Sequence, residues 1–179
     1  GSHTVVELIE RGFETIIVDD LSNSSVEVID NIEKITGIRP LFEQFDISDL
    51  DKTEAFFNKY ANISAIVHFA AYKAVGESVQ KPLSYYCNNL VSLLNLLQCQ
   101  LKYKIDNIVF SSSCTVYGQP DVLPVTENTP RKDAESPYGN TKRVSEDILS
   151  DTIKAHPQIK GIALRYFNPI GAHQTALIG

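Results

Sequence analysis

Tyr138 and Lys142 stand four residues apart in the stretch SPYGNTK, residues 136–142. Ser136 suits the cap of a helix and Pro137 its first turn, so the two side chains fall on one helical face. A free phenol ionises near pH ~10, too high for a base at neutral pH. An ammonium on the same face, together with a cationic nicotinamide ring, would favour the phenolate and bring that value down. The pair would then be a proton-transfer device poised near working pH. Because Y-x-x-x-K also arises as two ordinary helix residues, its surroundings decide.

Those surroundings include a serine run, Ser111, Ser112 and Ser113, at the end of an apolar stretch. A hydroxyl there can share the substrate hydroxyl with the phenol and hold it in reacting geometry. Serine, tyrosine and lysine on consecutive elements form a hydride-transfer set. A serine nucleophile is disfavoured, since there is no G-x-S-x-G elbow and no obvious histidine and acid partners in order.

Asp19 follows Gly1 at about the interval between a phosphate-loop glycine and the acid that binds adenosine ribose hydroxyls. A carboxylate there would repel a 2′-phosphate and favours NAD over NADP; equally, it can be a polar strand end entering a turn. Asp46, in FDIS, either hydrogen-bonds an adenine amino group or caps the next helix, for which Ser48 and Asp49 are better placed. Lys73, in FAAYKAVGES, either reaches ribose or phosphate or is a solvated loop lysine. His68 reads as a hydrogen-bonded core residue, and His3, His156 and His173 lack metal-ligand spacing, so no metal is expected.

The elements that must position these groups alternate from end to end. TVVELIERG has helical spacing stopped by Gly12, and FETIIVDD is a short β-branched run. A polar turn, a helix through Val26, Ile29, Ile32 and Ile35, the strand PLFEQFDI, a helix over 50–60 and the strand SAIVHFAA follow. One long helix is expected next, with Pro82 in its first turn and a core-facing stripe of Leu83, Tyr86, Leu90, Leu93, Leu97 and Leu101. After it come the strand DNIVFSSS, a loop from Cys114 to Glu135, the helix opened by Ser136 and the strand GIALRYFN.

This order predicts an α/β fold, a doubly wound parallel sheet of Rossmann type with strands buried on both faces. Ligands of such sheets sit beyond the carboxyl ends of the strands. Those exits are Asp19, Asp46, the segment from Phe69 and Ala70 to Lys73, Ser111 to Ser113, and Tyr166 to Asn168.

With 179 residues, 43% hydrophobic and 21% charged, the chain can bury one sizeable core. Its net charge of -6 and pI near 5.2 disfavour nucleic-acid or anionic-membrane partners. Three cysteines, Cys87, Cys99 and Cys114, with no C-x-x-C pair suggest a reducing, cytoplasmic setting. No signal peptide is evident, and no apolar run reaches the ~20 residues of a membrane span. Methionine is absent even at position 1, so the chain reads as a fragment, and GSH at its start as either a cloning remnant or natural sequence.

The chain resembles the extended short-chain dehydrogenase/reductase superfamily and, within it, the UDP-glucose 4-epimerase family of galactose metabolism. The matching stretches are GSHT (1–4), VDDLSN (18–23), DI (46–47), HFAAYKAVGESVQKPLSYYCNN (68–89), FSSSCTVYG (110–118), SPYGNTK and LRYFNPIGAH (164–173). The resemblance favours GSHT as the close of a phosphate-binding loop, with Gly1 on the cofactor. It implies that Asp19 and Asn23 bind the adenosine end of NAD, Asp46 and Ile47 the adenine, Lys73 and Asn88 the ribose region, and Tyr138 and Lys142 the nicotinamide end. It implies Ser113 as the catalytic serine and Asn168 as a contact of the UDP moiety.

The activity implied is interconversion of UDP-galactose and UDP-glucose by a homodimer, through a 4-keto sugar and transient hydride transfer to tightly bound NAD. Nucleotide-sugar dehydratases typically carry an Asp-Glu pair where this chain has Cys114 and Thr115, which argues against dehydration. Residues 1–168 are expected to form the NAD-binding domain and 169–179 the start of a substrate-binding region. The family's first strand, normally central, has no counterpart, so two inner strand edges are expected to be unpaired and the chain alone unstable and inactive. The alternatives are an epimerase of N-acetylated or uronic UDP-sugars and a non-catalytic NAD-binding module.

Overall fold

The structure is a computed structural model that describes residues 1–179. It divides into two compact units, residues 1–47 with 168–179, and residues 48–167.

In the first unit, helix α1 (Ser2–Glu10) leads to strand β1 (Ile16–Asp19), helix α2 (Glu27–Thr36) and strand β2 (Leu41–Gln44), which runs parallel to β1. The 3.6-residue spacing of Ile29, Ile32 and Ile35 puts them on one stripe of α2, and Gly37 ends that helix in the left-handed conformation (φ 74°). Val6, Ile9, Ile32 and Ile178 form the core, with Val5, Ile17, Val28 and Ile35 packed around it. Ile32 is fully buried, so cutting it to alanine costs roughly 2–5 kcal/mol.

The second unit runs α3 (Leu50–Lys59), β3 (Ala65–His68), α4 (Val75–Gln80), α5 (Pro82–Tyr86), a π turn (Cys87–Val91), α6 (Ser92–Lys102), β4 (Asn107–Ser113), a 3₁₀ turn (Cys114–Tyr117), α7 (Pro137–Ala155) and β5 (Lys160–Tyr166). Its sheet has the order β3-β4-β5, all parallel, with Val67, Val109 and Ile162 in register. α7 lies over one face, where an alanine at Gly161 would meet Ile153 and Leu149. Ile66, His68, Ile108 and Phe110 are buried. The opposite face departs from the expectation of two buried sides: Val67, Ile162 and Leu164 are 38%, 59% and 40% exposed. β1 pairs with β2 alone and β3 with β4 alone, so each keeps an unpaired edge.

The long helix expected from Pro82 is a continuous helical run to Lys102, in which a π turn joins α5 to α6, and the short α4 precedes it. That turn takes one residue more than an α turn, which rotates the stripe. Of the expected stripe Leu93 and Leu97 are buried, beside Tyr85, Asn89, Ser92, Leu96 and Gln100, whereas Leu83 is 78% exposed and Tyr86, Leu90 and Leu101 are only partly buried. The segment from Cys114 to Glu135, expected as loop throughout, opens with the 3₁₀ turn.

Candidate active site

The strand exits of the second unit bring together Ser111, Ser113, Tyr138 and Lys142. Ser136 caps α7 with its hydroxyl, which accepts the Gly139 amide at 3.1 Å, and Pro137 occupies the first turn. The helix therefore starts where the sequence places it, and Tyr138 and Lys142 share the face turned to β4. The Ser113 hydroxyl lies near enough to the Tyr138 phenol to favour its ionised form. Lys142 Nζ donates to the Ser111 carbonyl at 2.7 Å and lies 4.9 Å from the Phe110 ring centre.

The electrostatics differ from the expectation. Burial pushes the Tyr138 phenol above its ordinary range; the Ser113 hydroxyl opposes this, and Cys114 adds to the rise. Lys142 does not lower it, because its ammonium is turned to the Ser111 carbonyl. Burial brings Lys142 down to about 8, and the side chain is 4% exposed. An ammonium has three donors, and the protein takes one of Lys142's through Ser111, which leaves a donor set suited to the hydroxyls of a ribose.

Lys73 is exposed, but its neighbours are fixed on both sides. Asn89 accepts the Tyr72 amide at 2.8 Å and donates to the Tyr72 carbonyl at 3.0 Å, and the Ala74 amide donates to the Tyr85 hydroxyl at 3.1 Å. Asn89 also donates to Thr141 Oγ1 at 3.0 Å, and Thr141 in turn donates to the Tyr138 carbonyl at 2.7 Å. The loop after β3 is thus joined by hydrogen bonds to the backbone of Tyr138. Asn88 donates to Asn89 Oδ1 at 3.0 Å. Phe69 is partly buried and 6.2 Å from the Tyr166 ring, and Ala70 is exposed. Burial holds His68 at about 3, so it is neutral, and its Nδ1 has no hydrogen-bond partner where the sequence suggested one.

In the first unit, Asp19 is the last residue of β1. Its Oδ1 accepts the Leu21 amide and the Ser24 hydroxyl, both at 2.8 Å, which shapes the polar turn and leaves Oδ2 to accept from a ligand hydroxyl. Gly1 is the N-cap residue of α1, and Asn23 is exposed. Asp46 and Ile47 lie beyond the end of β2 at Gln44. Asp49 caps α3 by accepting the Lys52 amide at 3.1 Å, so that task does not fall to Asp46. Asn168 is exposed.

The match to the model of the NAD dependent epimerase/dehydratase family runs over residues 1–178. The chain belongs to this family. It is 49% identical over 186 residues to a UDP-glucose 4-epimerase of Schizosaccharomyces pombe, a match covering 100% of this chain and 51% of that relative. The UDP-glucose 4-epimerase of Bifidobacterium longum, solved with NAD+ and UDP, has a TM-score of 0.97 at 45% identity, covering 99% of this chain and 53% of the other. The Stenotrophomonas maltophila UDP-glucose-4-epimerase, solved with NAD and formylated UDP-arabinopyranose, gives 0.95 at 44%, covering 100% and 53%. The chain therefore spans about half the length of these family members.

Two groups near the site escaped the sequence reading. Glu146 lies four residues beyond Lys142, on the same helical face, and that spacing was the available signal. Asn89 had none, because the π turn that buries it breaks the period. No group of His, Cys, Asp and Glu is arranged to hold a metal, and no helix is long and apolar enough to cross a membrane. An open cleft of about 520 Å³ lined by Gln119, Arg131, Lys132, Asp133, Glu135 and Arg143 is a surface ion-pair network, with Arg131 on Asp147, Lys132 on Asp121 and Arg143 on Asp133.

Proposed function

We propose that the full-length protein carrying this chain interconverts UDP-galactose and UDP-glucose. The observation that carries this reading is the meeting of Ser113, Tyr138 and Lys142 at the exit of β4. Residues 1–168 are the NAD-binding domain, and 169–179 open the substrate-binding region.

In this reading Asp19 and Asn23 hold the adenosine end of NAD, Asp46 and Ile47 the adenine, and Gly1 the phosphate loop. Phe69, Ala70, Lys73, Asn88, Ser111 and Tyr166 line the remainder of the cofactor path, and Asn168 contacts UDP. NAD supplies a hydride acceptor that returns the hydride to the opposite face of the sugar. Ser113 holds the sugar 4-hydroxyl against Tyr138, whose phenolic oxygen takes its proton and later gives it back. Lys142 binds ribose hydroxyls and favours the phenolate once the bound cofactor adds its own positive charge.

A homodimer built on α5, α6 and α7 is part of the proposal, supported by Leu83, Val91 and Leu94, exposed at 78%, 37% and 41%. The thiols of Cys87, Cys99 and Cys114 are unpaired, which supports a reducing, cytoplasmic setting.

The test is conversion of UDP-galactose by the full-length protein with NAD, followed through the anomeric proton signals, beside Tyr138→Phe. Appearance of UDP-glucose with a much slower variant supports the proposal. Binding of NAD without conversion by the wild type defeats it.

A further inference from the structure

Below the candidate catalytic groups lies a buried ionic cluster. Glu146 is 8% exposed and stands one turn beyond Lys142 on α7. Its Oε1 accepts the Ser112 hydroxyl at 2.5 Å and Arg165 Nε at 2.9 Å, and its Oε2 accepts Arg165 Nη2 at 2.9 Å and Arg131 Nη1 at 3.3 Å. The Arg165 guanidinium lies 4.8 Å from the Tyr117 ring centre. One carboxylate thus joins α7, β4, β5 and the segment before α7.

The order of these bonds along the chain matters. Tyr138, Lys142 and Glu146, one turn apart, face three consecutive serines: Lys142 is bonded to the carbonyl of Ser111 and Glu146 to the hydroxyl of Ser112, and the Tyr138 phenol is influenced by the hydroxyl of Ser113. Sliding or rotating α7 would break both bonds and shift Tyr138 from Ser113 with them. A buried ion pair adds little net stability over well-packed apolar residues; its directional bonds serve geometry better.

We propose that Glu146 and Arg165, through Ser112, are positioning residues that set the register of the Tyr138 and Lys142 helix on the strand end carrying Ser113. This rests on the epimerase reading for its kinetic readout. Neither residue touches substrate or cofactor in it. The bidentate Arg165 fork fixes the carboxylate plane, and the remaining Oε1 lone pair fixes Ser112.

The test uses the full-length, NAD-loaded protein with two variants, Ser112→Ala and the apolar replacement Glu146→Leu/Arg165→Met. Measured for each are kcat and KM, the melting temperature, and the phenol titration of Tyr138, taken as the ultraviolet difference from the matching Tyr138→Phe protein. The expected result is a kcat about tenfold lower or more at a steady KM, with a displaced phenol titration and little loss of melting temperature. A merely structural cluster would lower the melting temperature and leave kcat per NAD-loaded molecule within about twofold and the titration in place, which overturns the proposal. Should the double variant not fold, Ser112→Ala alone decides by the same readouts, since it leaves the Glu146–Arg165 pair intact. Should the wild type convert no UDP-sugar, the epimerase reading fails, and the phenol titration still decides this one.

Discussion

Lys142 is held by β4, through the Ser111 carbonyl at 2.7 Å, and not by the Tyr138 phenol with which it shares a helical face. The spacing that marks the pair in the sequence therefore fixes a face without fixing a contact. Lys142 is a buried cation with one protein acceptor, which is the arrangement expected of a residue that serves a ligand.

Burial of that ammonium has a measurable cost. The folded value of about 8 lies below the ordinary 10.5, so between the two the unfolded chain binds the extra proton. Stability from this group rises with pH through that window and is lowest below about 8. Lys142→Met is expected to be more stable than wild type at neutral pH, with its advantage shrinking by roughly 3 kcal/mol once the pH exceeds 10.5. Urea melts over a pH series check this, and a constant gap between the two proteins would show that the ammonium is solvated.

His68 carries the same linkage at acid pH. Burial, with the Lys142 charge, holds it at about 3 against an ordinary 6.5. Its contribution is fully present above 6.5 and is lost as the pH falls from there toward 3, at up to ~1.4 kcal/mol per pH unit. Replacing His68 with leucine should flatten that acid limb in thermal melts taken across the range. An unchanged limb would assign the acid loss to carboxylates such as Glu146.

The fold class, the capped start of α7 and the serine, tyrosine and lysine set were legible because each rests on local chemistry: a β-branched run, a Ser-Pro helix entry, a four-residue spacing. The π turn inside the long helix was not. A stripe of leucines counted at 3.6 residues assumes no inserted residue, and the π turn at Cys87–Val91 moved Leu83 outward and Asn89 inward. The Tyr138 environment was also illegible, since desolvation depends on what α7 packs against and not on the residue four places on.

Asn89 uses all of its hydrogen-bonding capacity: two acceptances at Oδ1, from the Tyr72 amide and Asn88, and two donations from Nδ2, to the Tyr72 carbonyl and Thr141. An aspartate there fits the space but cannot donate. Asn89→Asp is expected to lose roughly 2–4 kcal/mol at neutral pH, because a buried carboxylate would then face the Tyr72 carbonyl. The deficit should narrow in mild acid, where the new carboxyl regains a proton to donate. Equal stability of variant and wild type at neutral pH in urea melts would contradict this account.

Gly139 tests how closely α7 must approach the turn that follows Ser113. A Cβ there would lie 3.2 Å from Thr115 Cβ and 3.3 Å from Ala134 Cβ. Both neighbours are backbone-anchored atoms, so neither can swing aside as a flexible side-chain end would. Alanine in a helix gains up to ~1 kcal/mol over glycine, which offsets much of the crowding, and net stability should change little. What must change is position: the first turn of α7 moves away from Thr115, and Tyr138 with it from Ser113. In the full-length protein Gly139→Ala should slow turnover by about tenfold at nearly unchanged melting temperature. Adding Thr115→Gly, which removes one of the two obstructions, should restore part of the rate. Full activity in Gly139→Ala would mean that the phenol tolerates a shift of a few tenths of an ångström, and that the fit between α7 and the 3₁₀ turn serves packing alone.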